Sequence, residues 1–153
     1  VILPALAGLG APHWRSDVRA SISGLSHATG RAHIVRAALE AMAYQIHDLR
    51  TAYQGDGCDW SGLRIDGGMS SNNWVTQDLA DMLAIPVERP DNVETTALGA
   101  AMLTAVGCGL HVSLDQAATM RSAFSTFTPA LPAPERERRL DLWADTLKRQ
   151  LQT

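Results

Sequence analysis

Between Leu63 and Gly107 the sequence alternates twice between an extended and a helical segment, and each change of period is marked by Gly or Pro. Leu63-Arg64-Ile65-Asp66 alternates apolar and charged side chains, as a half-buried strand does, and runs straight into Gly67-Gly68. A helix is expected from Ser71 or Asn72 to about Leu83, with Trp74, Leu79 and Met82 on its buried side. Ile85-Pro86-Val87-Glu88-Arg89-Pro90 reads as a second strand closed by a proline. Asp91 or Asn92 is then placed to cap a helix from about Glu94 to Gly107. Strands that alternate with helices in this way specify an α/β domain in layers, with helices packed on a sheet.

The rest of the chain fits that frame but adds few strands. Val1 to Leu3 is a short strand ended by Pro4, and Gly8, Gly10 and Pro12 make the stretch to Trp14 a loop. Ala20 to Leu25 suits a short strand or extended edge. From His33 to about Tyr53, Ile34, Val35, Ala38, Leu39, Met42, Ile46 and Leu49 recur at helical spacing with charges between them. A short helix is expected from Leu114 to Met120, a linker from Pro129 to Pro134, and a last helix from about Glu135 to Leu151. The alternating signs of Glu135-Arg136-Glu137-Arg138-Arg139 suit the solvated face of that helix. Three or four strands are few for a sheet that must cover several helices, so the chain reads as a piece of a larger domain. The start at Val1, with no initiator Met and no signal-like segment, agrees with that reading.

Composition removes several classes of function. The formal charge of −3 and even mixing of signs argue against a dedicated nucleic-acid binder. Cys58 and Cys108 have no CxxC partner and no histidine at ligand spacing, which indicates neither a disulfide framework nor a zinc site and suits a cytoplasmic setting. The longest apolar stretch, Ala97 to Leu110, is too short and too interrupted to span a membrane. No Gly-x-Ser-x-Gly elbow supports a hydrolase. The five histidines are scattered without metal-ligand spacing, and no residue is assigned as catalytic or as a metal ligand.

The segment best suited to chemistry is Asp66-Gly67-Gly68-Met69-Ser70-Ser71-Asn72-Asn73. Glycine lets the backbone approach a ligand closely, and the following helix offers unpaired N–H groups and the positive end of its dipole. Such a turn suits a nucleotide, with the Asn72 or Asn73 amide beside the base or ribose. A plain helix cap calls for the same residues. Asp66 is either a strand-end acid or a turn residue bonding its own backbone. Gly8 to Trp14 is a second loop able to line a cleft or simply to shape the chain, and Ala97, Gly99, Ala100 and Ala101 permit close approach of a neighbouring element.

Taken together, Gly8-Leu9-Gly10-Ala11-Pro12-His13-Trp14, Ala20 to Leu25 with His33-Ile34 and Ala37-Ala38-Leu39-Glu40, Asp66-Gly67-Gly68 with Asn72-Asn73, and Glu94-Thr95-Thr96-Ala97-Leu98-Gly99-Ala100-Ala101 resemble the carbohydrate kinases of the FGGY type, its glycerol-kinase branch above all. The resemblance implies an actin-like ATPase (ribonuclease H-like) fold with an incomplete sheet. It makes residues 1–128 the later part of the second domain, and 129–153 a linker and C-terminal helix of the same domain. It implies an enzyme that uses ATP with magnesium to phosphorylate a hydroxyl of a small sugar or polyol, working as a homo-oligomer. The alternative is a non-catalytic nucleotide-binding or self-associating module of actin-like fold. By the resemblance, the backbone at Gly68 and Met69 contacts the nucleotide and Asn72 or Asn73 supplies an amide beside the adenine. The family's carboxylate base, sugar contacts and phosphate loops come from segments earlier than Val1. One residue departs from the pattern: Arg15 follows His13-Trp14 where an acidic residue is common, which implies either an altered substrate preference or a changed surface contact.

Overall fold

A computed structural model of the chain describes residues 1–121 and 123–152. Near the N-terminus β1 (Ile2–Leu3) pairs antiparallel with β2 (Ser21–Ile22). A second sheet has β3 (Leu63–Arg64) parallel to β4 (Val87–Pro90), and β4 antiparallel to β5 (Phe124–Phe127). Parallel neighbours need a crossover, and α2 (Asn73–Leu83) supplies it from the expected position. Trp74 is only half-buried, whereas Val75, Leu79, Met82 and Leu83 face the core.

The expected helix around His33 to Tyr53 is α1 (Arg31–Gly55), and the His33 Nδ1 accepts from the Gly30 N–H at its start. α3 (Thr95–Gly107) begins one residue later than expected, with Glu94 at its N-cap. Neither Asp91 nor Asn92 caps it directly; instead Asn92 Oδ1 accepts the Glu94 N–H, a local turn that leads into the helix. Ser113 caps α4 (Leu114–Ala117) by accepting from the Gln116 N–H, and a 3₁₀ turn carries on to Met120. α5 (Ala133–Leu151) starts two residues early, with Pro134 in its first turn, where a missing N–H costs nothing.

Leu3, Leu9, Val18, Tyr44, Leu79, Met82, Leu83, Ile85 and Val87 form one core, and Trp143 and Leu147 of α5 close it. The Trp143 ring stacks on Tyr44 with centroids 5.3 Å apart. This arrangement corrects the reading of the Glu135 to Arg139 run. Arg138 is solvated beside Glu135, but Arg139 is buried, with its guanidinium bidentate on Asp78 at 2.7 and 3.1 Å and its Nε donating to the Tyr44 hydroxyl.

The accessible surface is 9466 Å², whereas a self-contained monomer of 16.4 kDa exposes about 7,500 Å² by the usual mass scaling. Part of the excess lies on α3, a helix apolar on most sides of which only Ala105 is buried; Ala97, Ala100, Ala101 and Leu103 are exposed. Helices of that composition normally sit inside a protein. The close-packing partner expected for its small residues is therefore not among the described residues. No helix among the described residues is long and apolar enough to cross a membrane.

One titration bears on stability. Burial pushes His47, in the second half of α1, below its ordinary value of 6.5, with Arg50 and Arg136 adding to the effect and Asp48 opposing it. The unfolded chain then takes up a proton more readily than the folded one, so the stability from this group is full above pH 6.5 and is lost as the pH falls below it. Thermal melts between pH 8 and pH 5 are expected to show a shallower acid-side fall for His47→Gln than for the parent chain. Equal slopes would remove His47 from the account.

Candidate functional site

At the end of β3 the ladder runs on through Ile65, whose N–H donates to Glu88 O at 3.0 Å. Asp66 then leaves the sheet, and its carboxylate accepts the hydroxyl of Thr95, the first residue of α3. Asp66 thus neither bonds its own turn nor stands free as an acid; it joins the turn to α3. Gly67 donates its N–H to Val93 O and takes φ +81°, a left-handed conformation that favours glycine. Gly68–Ser71 then form one 3₁₀ turn, which passes into α2 through Asn72.

The turn is closed by its own serines. Ser70 donates its N–H and its hydroxyl to Gly67 O, and Ser71 donates its hydroxyl to Gly68 O. Asn72 Oδ1 caps α2, accepting the N–H groups of Trp74 at 3.0 Å and Val75 at 3.3 Å. Asn73 Oδ1 accepts from Arg89 Nη1 at 2.8 Å. Gly68, Met69, Asn72 and Asn73 are all exposed, and the first N–H groups of a helical turn have no partner within it. Gly68 differs from Gly67: its φ is outside the left-handed region, and a Cβ built on it meets nothing within 4 Å. Neither local conformation nor packing within the chain calls for glycine there.

Two concavities flank this turn. A groove of about 560 Å³ between the second sheet and α3 is lined by Ile65, Asp66, Pro90, Thr95, Leu98 and Phe124, among others. A shallower one of about 380 Å³ is lined by Val35, Arg36, Leu39 and Trp74 among others, with the Arg36 guanidinium 4.1 Å from the Trp74 ring centre. None of the four candidate residues lines either one; they stand on the open surface between.

The loop from Gly8 to Trp14 is a structural piece. Gly8 takes φ +96°, and a Cβ there would come within 2.7 Å of the Ser16 backbone. His13 Nε2 sits 3.1 Å from Asp48 Oδ2, which also accepts the Trp143 indole N–H at 2.9 Å, so the loop is tied to α1 and α5. Arg15 holds Asp17 with two hydrogen bonds, keeping that carboxyl down at about 2, and donates to Leu151 O at the end of α5. A carboxylate at position 15 would face Asp17 and the negative end of the α5 dipole. Arg15 therefore makes a defined surface contact in this chain.

An α/β unit with an exposed strand, double-glycine turn and helix is a recurring framework for holding small molecules. A family model described as "FGGY family of carbohydrate kinases, C-terminal domain" matches residues 1–108, and the chain belongs to that family. It is 45% identical over 148 residues to a glycerol kinase of Rhodospirillum centenum, covering 97% of this chain and 30% of that protein. It is 47% identical over 146 residues to a glycerol kinase of Methylobacterium nodulans, covering 93% and 29%. Among solved structures it resembles glycerol kinase of Plasmodium falciparum with ADP, at a TM-score of 0.82 and 35% identity, over 99% of this chain and 30% of that one. Gluconate kinase of Lactobacillus acidophilus shares the fold, at a TM-score of 0.76 and 20% identity, over 99% and 31%. The fold is that of the FGGY kinases, the actin-like architecture expected from the sequence. The chain spans about 30% of the length of the curated relatives it matches.

Proposed function

We propose that this chain is the C-terminal part of an ATP-dependent carbohydrate kinase of glycerol-kinase type, and that Gly68, Met69, Asn72 and Asn73 form the adenine side of its nucleotide site. The observation that carries the reading is Gly68, a glycine that the chain's own conformation and packing do not require. Glycine at an exposed turn leaves room for a flat ring against the backbone. Asn72 and Asn73 each commit Oδ1 inside the chain, which leaves their NH₂ groups as donors, and the ring nitrogens of adenine are acceptors. The name of the ADP-bound Plasmodium falciparum enzyme agrees with a nucleotide ligand.

The whole enzyme in this reading transfers the γ-phosphate to a hydroxyl of a small polyol or sugar, in the cytoplasm and as a homo-oligomer. Such transfer rests on positioning the nucleophile and stabilising charge on the phosphoryl group. Asp66, tied to Thr95, is not offered as the base that accepts the hydroxyl proton. Magnesium would neutralise the nucleotide phosphates. Among the described residues there is no group of three or more His, Cys, Asp or Glu that could hold a metal ion. The chain alone binds without catalysing. In this reading residues 129–153 belong to the same domain as 1–128, which the place of Trp143 and Leu147 in the common core supports, and the rest of the enzyme covers α3.

ADP titrations read by tryptophan fluorescence, with Trp74→Phe to identify the reporting ring, test the amide assignment. Asn72→Asp keeps the helix cap and Asn73→Asp keeps an acceptor for Arg89, while each deletes a donor. At least one of them is expected to weaken ADP binding about tenfold, the worth of one good hydrogen bond, with an unchanged melting temperature. Both binding ADP like the parent chain would overturn the assignment.

A further inference from the structure

We propose that two copies of this chain join through β5, which pairs antiparallel with itself about a two-fold axis at Ser125. This contact gives an interface to the homo-oligomer in the reading above and rests on that part of it, not on the nucleotide site. The second sheet runs β3-β4-β5, so β5 is one of its two edges. The Asp91 N–H donates to Ala123 O at 2.9 Å, and the register continues with Pro90 opposite Phe124, Arg89 opposite Ser125 and Glu88 opposite Thr126. Bonded and non-bonded pairs alternate along an antiparallel ladder. Ser125 and Phe127 therefore bond to β4, while the N–H and C=O groups of Phe124 and Thr126 point away from it.

Edge strands are commonly blunted by a lysine, a proline or a bulge. Ala123 to Thr128 holds no charge and no proline. Phe124, Ser125 and Thr126 are all exposed, the Phe124 side chain by 55%. The edge at β3 is different, since Arg64 and Ile65 there line the groove between the sheet and α3, the helix that the rest of the enzyme covers in the reading above. A two-fold contact requires one self-complementary patch, and β5 supplies it. Only outward-facing residues can bond across the new pair, and the register centred on Ser125 uses all of those in β5. Phe124 of each copy then lies opposite Thr126 of the other, exchanging both N–H···O bonds and setting an aromatic ring beside a β-branched side chain. Pairing also covers the exposed Phe124 ring, whose burial favours association.

Sedimentation of the full chain over a range of concentrations is expected to show a monomer–dimer equilibrium. Thr126→Pro deletes an outward N–H that the β4 ladder does not use. It is expected to leave only monomer where the parent dimerises, with the ADP affinity and the melting temperature of dilute samples unchanged. The register is read by new cysteines in a Cys58→Ser, Cys108→Ser background, because both native cysteines are exposed. Ser125→Cys sets two thiols opposite each other across a non-bonded pair, with Cα atoms about 4.5 Å apart, and is expected to yield a disulfide-linked dimer under mild oxidation. Thr126→Cys sets them on a diagonal, about 7–8 Å apart, and is expected to yield none. A parent chain that stays monomeric, association that survives Thr126→Pro, or equal cross-linking of the two cysteine variants would each overturn the proposal. A chain that dimerises through β5 but binds no ADP would bring down the nucleotide reading and leave this contact standing.

Discussion

Replacing Arg139 by methionine is expected to cost about 3–5 kcal/mol at neutral pH, because one partner of a buried ion pair is removed and the other stays behind. The Arg139 and Asp78 side chains are 9% and 5% exposed. Burial works against the Arg139 charge, yet hydrogen bonds to Asp78 and Tyr44 more than offset it and raise the guanidinium above its ordinary value. Burial also pushes the Asp78 carboxyl up, against the pull of Arg139. The two directions bear oppositely on the pair, and the bidentate contact at 2.7 and 3.1 Å decides for a charged pair at neutral pH. Without Arg139, Asp78 is a buried acid with a raised folded-state value. Such a group contributes most below its unfolded value and loses that contribution as the pH rises through the folded one. Urea unfolding of Arg139→Met is therefore expected to show a smaller loss at pH 5 than at pH 8. Adding Asp78→Leu is expected to recover much of the stability, since apolar replacement of both partners is often neutral. A single-variant cost under about 1 kcal/mol would place the pair among surface ion pairs.

The second large effect has opposite signs in two assays. Gly68→Ala is expected to leave stability unchanged or raise it by about 0.4–1 kcal/mol, because alanine fits that backbone and narrows the unfolded ensemble. The same methyl group stands where a base would lie against the turn, and ADP affinity is expected to fall by more than about tenfold, the loss of one close contact or more. Gly67→Ala is the control. Its added Cβ also meets nothing within 4 Å, but φ +81° makes it strained, at a cost of about 1–2 kcal/mol. Adjacent glycines thus separate a conformational requirement from a ligand requirement. Melting temperature and ADP affinity measured on both variants check the contrast.

What could be read from the chain was what depends on near neighbours. α1, α2 and the double-glycine turn each announce themselves by a periodic stripe or by residues that break one, and all three lie within two residues or so of their expected limits. β5 gave no such signal, since Phe124 and Phe127 are three apart and do not mark one face of a strand; it forms because β4 has an edge to fill. Arg139 looked like a surface charge because its partner Asp78 is 61 positions away. The role of Arg15 was hidden in the same way, because the Leu151 carbonyl it reaches is 136 positions away. At the candidate site, the turn was legible from Gly67-Gly68 and the asparagines. The grip of Arg89 was not, because a charge at the end of a short strand carries no local sign of what it will reach.

In the proposed reading the turn from Gly67 to Asn73 receives the base of an adenine nucleotide. An ADP titration of the ¹⁵N-labelled chain, followed residue by residue through its backbone amides and repeated with Gly68→Ala, tests this most directly. Saturable binding is expected, with the largest shifts at Gly68, Met69 and the start of α2, and loss of those shifts in the variant. Shifts that saturate elsewhere and leave residues 67–73 unmoved, or that survive Gly68→Ala unchanged, would contradict it.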